Sequence, residues 1–143
     1  TEDRRRPYKR LLTWSRAYDD ATSKEMYARL HGLSAAESSA LVVALRERLG
    51  QAGRPLPPGD IILDIPPRDK DRLPEVTVYH PHGRGGGSYT SLAESSKIVS
   101  GMGADFLAAV KKIRLFVHPD HVARLARDRE GLKVAVQEVL TSL

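Results

Sequence analysis

The chain has 143 residues, a mass of 15.8 kDa and no cysteine, which excludes disulfide scaffolds, thiolate zinc sites and cysteine nucleophiles. Its residues are 41% hydrophobic and 29% charged, a globular balance that excludes wholesale disorder. No apolar run approaches the ~18 residues that a membrane span needs, so we expect no membrane partner. Length and composition predict one domain, and the lack of cysteine favours the cytoplasm.

The formal net charge is +5, and most of the excess lies at the beginning of the chain. Five basic residues oppose two acidic ones within the first ten positions; they are Arg4, Arg5, Arg6, Lys9 and Arg10. Such a basic arm can bind nucleic acid, a nucleotide phosphate or an acidic neighbouring surface, and the alternative is a solvated terminus. Because the first residue is Thr1 rather than Met, we expect a fragment or a processed product.

The first half of the chain predicts one strand followed by two helices. Residues 8–14 are rich in aromatic and β-compatible side chains and predict a strand or an extended arm. Two capping boxes, with Thr22 and Ser34 as the capping residues, predict helices over 22–32 and 34–50. The apolar residues at helical spacing are Met26, Tyr27 and Leu30 in the first helix and Ala40, Leu41, Ala44, Leu45 and Leu49 in the second.

The second half mixes short strands and helices without strict alternation. Strands are expected at 61–65, 76–79, 88–90 and 113–117, and the last helices near 122–127 and 132–143. A third capping box at Ser91 opens a helix that Gly101 and Gly103 are expected to interrupt. The mixture predicts an α+β fold, with a small mixed or antiparallel sheet of short strands packed with about four to five helices.

Two histidine pairs follow predicted strands. They are His80 with His82, and His118 with His121. If both pairs meet at one sheet edge, all four side chains are candidate ligands of a divalent metal. The alternative, which we favour, is two surface turns, because both patterns are short and no downstream carboxylate completes either. We therefore predict no metal in this chain, and the lack of a Gly-x-Ser-x-Gly elbow leaves no predicted catalytic residue.

Several short motifs follow one another in a defined order along the chain. They are the arm Arg-Arg-x-x-Tyr-Lys, two helices, the strand at 61–65 with Pro66 after it, the segment 92–99 and the strand at 113–117. This order resembles the region that follows the catalytic core in HD-superfamily phosphohydrolases, which include the dNTP triphosphohydrolases related to the mammalian SAM-and-HD-domain enzyme. The resemblance covers most of the chain. It implies that residues 1–143 form a single accessory domain, with 1–14 as the basic arm or strand.

The resemblance also implies a nucleotide-binding role for the basic arm. In the mammalian relative, an arginine and a lysine four residues later, at the start of this region, contact the phosphates of an allosteric nucleotide. Arg5 and Lys9 stand at the matching positions, with Tyr8 beside the lysine, and the arm adds Arg10 as a further candidate for phosphate binding. The family's catalytic metal centre needs a His-Asp pair, and no His in this sequence is followed directly by Asp. The resemblance therefore assigns the divalent metal and hydrolysis to a catalytic domain upstream.

The function implied by the resemblance is an accessory or regulatory C-terminal domain of an HD-type (deoxy)nucleotide phosphohydrolase, with no cofactor of its own. The expected partners are the upstream HD catalytic domain, further copies in a homo-oligomer, and a nucleotide. One alternative is a nucleic-acid-binding module that uses the arginine arm, and steep salt dependence with a polynucleotide would favour it. Another is a small histidine-metal enzyme, which stoichiometric bound zinc would favour.

Overall fold

The computed structural model describes residues 6–17, 20–67, 76–81 and 87–143, with the backbone alone at 102–105, 107 and 108. The elements in chain order are β1 (Lys9–Ser15), α1 (Ala21–Gly32), α2 (Ala35–Arg48), β2 (Ile61–Asp64), β3 (Thr77–His80), β4 (Ser88–Ser91), α3 (Leu92–Ser95), α4 (Lys97–Val110), β5 (Lys112–Val117), α5 (Pro119–Leu125) and α6 (Arg129–Thr141). The chain divides into two compact units, Thr1–Pro66 with Lys112–Leu143, and Pro67–Lys111. Helices combined with small antiparallel sheets confirm the predicted α+β class.

The first unit is built on a three-stranded antiparallel sheet with the order β1-β5-β2. Residues along β5 alternate between half-buried and buried, as expected for a strand with one face on a core. The buried residues of this strand are Ile113, Leu115 and Val117. In β1 the register shifts between Arg10 and Leu12. This bulge explains why the consecutive residues Leu11 and Leu12 are both buried.

Helices from both ends of the chain form one hydrophobic cluster with this sheet. Each of these helices has at least one fully buried leucine or valine on the face that packs in the cluster. These residues are Leu30 in α1, Leu41 and Leu45 in α2, and Val136 in α6. Within the described ranges, none of the helices is long and apolar enough to span a membrane.

The second unit contains the hairpin of β3 and β4 together with α3 and α4. The rings of Tyr79 and Tyr89 lie side by side on this hairpin, with centroids 5.0 Å apart. Ser91 caps α3: its hydroxyl accepts the Glu94 amide at 3.2 Å, and the Glu94 carboxylate accepts the Ser91 amide at 3.1 Å. None of the side chains described in this unit is buried. The pairing of β3 with β4 and the capping box of α3 are therefore the main stabilising interactions described in this unit.

Two predicted helix features are wrong for local reasons. The first helix begins at Ala21 because Asp20, rather than Thr22, caps it: Asp20 Oδ1 accepts the Thr22 amide at 3.0 Å. The helix after β4 continues through Gly101, and the break falls at Ser96, which separates α3 from α4. A glycine inside a helix costs only about 1 kcal/mol relative to alanine, which a helix of this length can sustain.

The capping box at the beginning of α2 provides a first test of the fold. Ser34 Oγ accepts the Glu37 amide at 3.2 Å, and the Glu37 carboxylate accepts the Ser34 amide at 2.7 Å. We expect Ser34→Ala to lower the free energy of unfolding by about 1 kcal/mol, because the Glu37 amide loses its partner. Urea denaturation followed by circular dichroism measures the change. Ser39→Ala, at an exposed position of the same helix, is the matched control, and an equal loss in both variants would contradict the capping role.

Candidate functional site

The described residues of the basic arm and one predicted histidine pair lie at one end of the three-stranded sheet. Because β1 and β2 both run antiparallel to the central β5, both begin beside the end of β5. Lys9 of β1 and Ile61 of β2 each pair with Val117, the last residue of β5. The residues just before β1, just before β2 and just after β5 are therefore neighbours. They are Tyr8, Asp60 and His118.

His118 and His121 hold the turn that follows β5. The His118 amide donates to the Asp60 carbonyl at 2.8 Å, which extends the ladder by one bond. The His118 side chain caps α5, since its Nδ1 accepts the Asp120 amide at 3.3 Å, and Pro119 occupies the first turn, where no amide hydrogen is needed. His121 Nε2 donates to the Asp60 carboxylate at 2.6 Å, because a carboxylate can only accept. These bonds give both histidines a structural role.

The residues before β1 anchor the basic arm to this turn. The Tyr8 hydroxyl donates to the Gly59 carbonyl at 2.8 Å. The Tyr8 ring lies edge-on to the His118 imidazole, with centroids 5.7 Å apart. Arg6 forms an exposed ion pair with Asp120, and pairs of this kind contribute only about 0–1 kcal/mol. Tyr8 therefore positions the arm more than the ion pair does.

Lys9 and Arg10 follow this anchored segment, and their positive charges are available to bind an anion. Both side chains are exposed, and neither has a hydrogen-bond or ion-pair partner among the residues that the structure describes. Arg6, by contrast, is already balanced by Asp120. Cations that are not balanced within the protein create a positive potential that attracts anions such as phosphate. The end of the sheet at Lys9 is therefore the candidate functional site. Its exposed positive charges make it suited to binding an anion.

The other predicted histidine pair does not share this sheet edge. His80 lies on β3 in the two-stranded sheet of the second unit, whereas His118 follows β5 in the three-stranded sheet. The less favoured alternative, a shared sheet edge, therefore does not apply to His80 and His118, because β3 pairs with its neighbour β4 in a separate sheet. His80 Nε2 instead contacts the hydroxyls of Thr90 and Ser95 at 2.9 and 3.3 Å. In the described part of the chain, no group of three or more His, Asp or Glu side chains is placed to hold a metal ion.

Two other predicted residues, Arg5 and His82, lie outside the described residues. The predicted phosphate contact of Arg5 and the candidate metal-binding role of His82 therefore stay predictions. Arg6 is the first residue of the arm that the structure describes, and it is the immediate neighbour of Arg5 in the chain.

Sequence reasoning missed the partners of the two carboxylates that organise this site. Asp120 follows Pro119 at the beginning of α5, and an acidic residue in the first turn of a helix is a recognisable signal. Asp60 ends a loop rich in proline and glycine, and nothing local distinguishes it there. Its partner His121 is 61 residues away in the chain. Only the order of the strands brings these two side chains together.

The bond between His121 and Asp60 has a measurable contribution to stability. The two side chains are 22% and 18% exposed, so His121→Ala leaves a mostly buried carboxylate without its donor. We expect the free energy of unfolding to fall by about 1–3 kcal/mol, measured by urea denaturation. His80→Ala removes an exposed histidine and should change stability by less than about 0.5 kcal/mol. Equal losses in the two variants would contradict the role assigned to His121.

Comparison of the chain with protein-family models, with curated proteins and with solved structures gives no match. The arrangement around Lys9 and the order of the sequence motifs are therefore the basis for assigning a function.

Proposed function

We propose that the chain is the accessory, regulatory C-terminal domain of an HD-type (deoxy)nucleotide phosphohydrolase. In this proposal it packs on an upstream HD catalytic core in the cytoplasm and supports assembly of a homo-oligomer. Arg5 and Lys9 bind the phosphates of an allosteric nucleotide. The divalent metal and the hydrolytic step belong to the upstream core, because this sequence has no His-Asp pair.

The observation that carries the proposal is an unbalanced lysine beside an anchored arm. Tyr8 is held through its ring and its hydroxyl, so the adjacent Lys9 extends from a fixed point of the backbone. Lys9 has no hydrogen-bond or ion-pair partner within the described ranges. A cation on a positioned backbone loses less freedom on binding than one on a mobile terminus. Lysine and arginine also form the strong charge-assisted hydrogen bonds that phosphate recognition requires.

The basic residues of the arm have different roles in this proposal. Arg6 is engaged by Asp120 and helps to position the arm instead of contacting phosphate. Arg10 lines a groove along the edge of β1, and its phosphate contact stays a prediction. Arg5 and Lys9 remain as the proposed phosphate contacts, with Tyr8 as a positioning residue.

The nucleic-acid alternative depends on exposed aromatic rings near the arm. Single-stranded nucleic acid is usually bound by a positive groove combined with aromatic faces on which bases stack. Trp14 is only 5% exposed and belongs to the core, so it offers no stacking surface. Tyr8 is partly exposed, but its ring and hydroxyl already contact His118 and Gly59. An affinity for polynucleotide that falls steeply with salt would still favour this alternative.

Nucleotide-driven assembly of the parent protein tests the proposal. The parent, with its HD core, is titrated with dGTP and followed by sedimentation velocity beside a version that lacks residues 1–143. We expect the intact parent to assemble with increasing dGTP and the truncated version to remain in its unassembled state. Circular dichroism checks that the truncated core is folded. Assembly of the truncated version at the same dGTP concentrations would contradict the proposal.

A further inference from the structure

A groove of about 780 Å³ runs along the free edge of β1 in the first unit. Its lining includes the five consecutive strand residues 10–14, together with residues of α1 and α6. Successive side chains of a strand point to opposite faces of the sheet. Beyond the register shift between Arg10 and Leu12, the consecutive residues 12–14 can therefore line one groove only along the backbone edge. β5 pairs with the other edge of β1, and no strand of the described residues pairs with this one.

The backbone of Thr13 faces this groove. Ser23 of α1 lines the groove, and its Oγ accepts the Ser15 amide at 3.3 Å. Because backbone groups alternate between the two edges of a strand, the N–H and C=O of Thr13 point to the same side as the Ser15 amide. Among the described residues, no loop or cap makes a backbone hydrogen bond to Thr13. The groove thus presents a donor and an acceptor that a further strand can use.

The walls of the groove carry uncompensated positive charge. Arg10 on β1 and Arg129 on α6 both line it, and neither has a hydrogen-bond or ion-pair partner in the described part of the chain. The acidic residues of the lining are already engaged. Glu130 pairs with Lys133 at 2.8 Å, and Asp20 caps α1. Capping does not neutralise Asp20, so the three cations and two carboxylates of the lining give a net formal charge of +1. Arg10 and Arg129 are the two cations of the lining that have no ion-pair partner among the described residues.

We infer that this groove binds an acidic peptide in an extended conformation, which adds a fourth strand to the sheet beside β1. Main-chain hydrogen bonds at Thr13 supply affinity, and Arg10 and Arg129 select acidic side chains. The five lined strand residues span about 17 Å, a length that a short extended peptide can follow. Because the register shifts between Arg10 and Leu12, the pairing is expected at Thr13. An inorganic anion would use the arginines and leave the strand edge unpaired. The peptide is the ligand whose chemistry uses both features.

The selectivity for charge is tested with a defined probe on the 143-residue chain. The probe is a fluorescein-labelled, amidated heptapeptide of alternating Glu and Val, and binding is followed by fluorescence anisotropy at low ionic strength. We expect the double variant Arg10→Glu/Arg129→Glu to bind at least about tenfold more weakly. Arg54→Glu/Arg127→Glu reverses two exposed charges outside the groove and is the matched control. Equal affinity of the two double variants, or equal binding of the same peptide with Lys in place of Glu, would overturn the inference.

Strand addition is tested separately from charge. A version of the probe that is N-methylated at alternate residues keeps its carboxylates but cannot donate the ladder hydrogen bonds, and we expect its binding to be lost. Thr13→Pro removes the outward amide of β1, a change that edge strands accommodate, and should weaken the unmodified probe. If circular dichroism shows that this variant is unfolded, the methylated probe still tests whether binding requires strand addition. Equal binding of the methylated probe, or a dimer of the chain that the probe fails to dissociate, would overturn the inference.

Discussion

Leu45→Ala is expected to lower the free energy of unfolding of the 143-residue chain by about 2–5 kcal/mol. Leu45 is 0% exposed and belongs to the cluster that joins α2 to the sheet and to α6. Truncation removes apolar contacts and leaves a cavity that the surrounding helices can fill only in part. Because a domain is typically stable by about 5–15 kcal/mol, this one change removes a large share of the total.

Val43→Ala on the same helix is the matched control for this loss. Val43 is 49% exposed, so it contributes little buried surface, and we expect its change to be within about 0.5 kcal/mol. Urea denaturation of both variants, followed by circular dichroism, gives the two values. A loss for Val43→Ala equal to that for Leu45→Ala would mean that α2 docks on the sheet through a different face.

Lys9→Ala is expected to raise the dGTP concentration needed for assembly of the parent by about ten- to a hundredfold. A charge-assisted hydrogen bond contributes roughly 1.5–3 kcal/mol, and about 1.4 kcal/mol corresponds to a factor of ten in affinity. Arg5→Ala should produce a shift of the same size, because the proposal assigns it an equivalent phosphate contact. Sedimentation velocity across a dGTP titration measures the midpoint for each variant.

Arg6→Ala distinguishes phosphate contact from positioning in this experiment. Arg6 is paired with Asp120, and loss of an exposed ion pair of about 0–1 kcal/mol should shift the midpoint by less than about fivefold. Lys9→Arg keeps the positive charge and should recover part of the wild-type behaviour. If Arg6→Ala is the variant that fails while Lys9→Ala assembles normally, the arm presents different residues to the nucleotide and the assignment of Lys9 is wrong.

Local signals in the sequence were enough to predict most of the elements. The capping box at Ser34 places the beginning of α2 correctly because both of its hydrogen bonds are formed within four residues. The strand predicted at 113–117 likewise coincides with β5, one face of which is buried. The wrong start of α1 arose because Asp20 and Thr22 are both good capping residues. Only the backbone geometry at Asp20 decides between them.

The candidate site was only partly predictable, because it depends on strand order. The sequence singled out His118, His121 and the basic arm, yet nothing in it states that β1 and β2 flank β5. That order is what places Tyr8 and Asp60 on either side of the histidine turn. The groove beside β1 was not predicted for the same reason, since Arg10 and Arg129 are far apart in the chain. The single accessory domain and the resemblance to HD-superfamily phosphohydrolases stay predictions.

We propose above that this chain is an accessory domain of an upstream HD core that hydrolyses deoxynucleotides. The most direct measurement is release of inorganic triphosphate from dGTP in the presence of Mn²⁺, with the parent protein and the 143-residue chain assayed side by side. We expect metal-dependent release by the parent and none above a no-protein blank by the chain, since the nucleophilic hydroxide would be generated only in the core. Triphosphate release by the chain alone, or a folded parent that is inert with metal and dGTP, would contradict it.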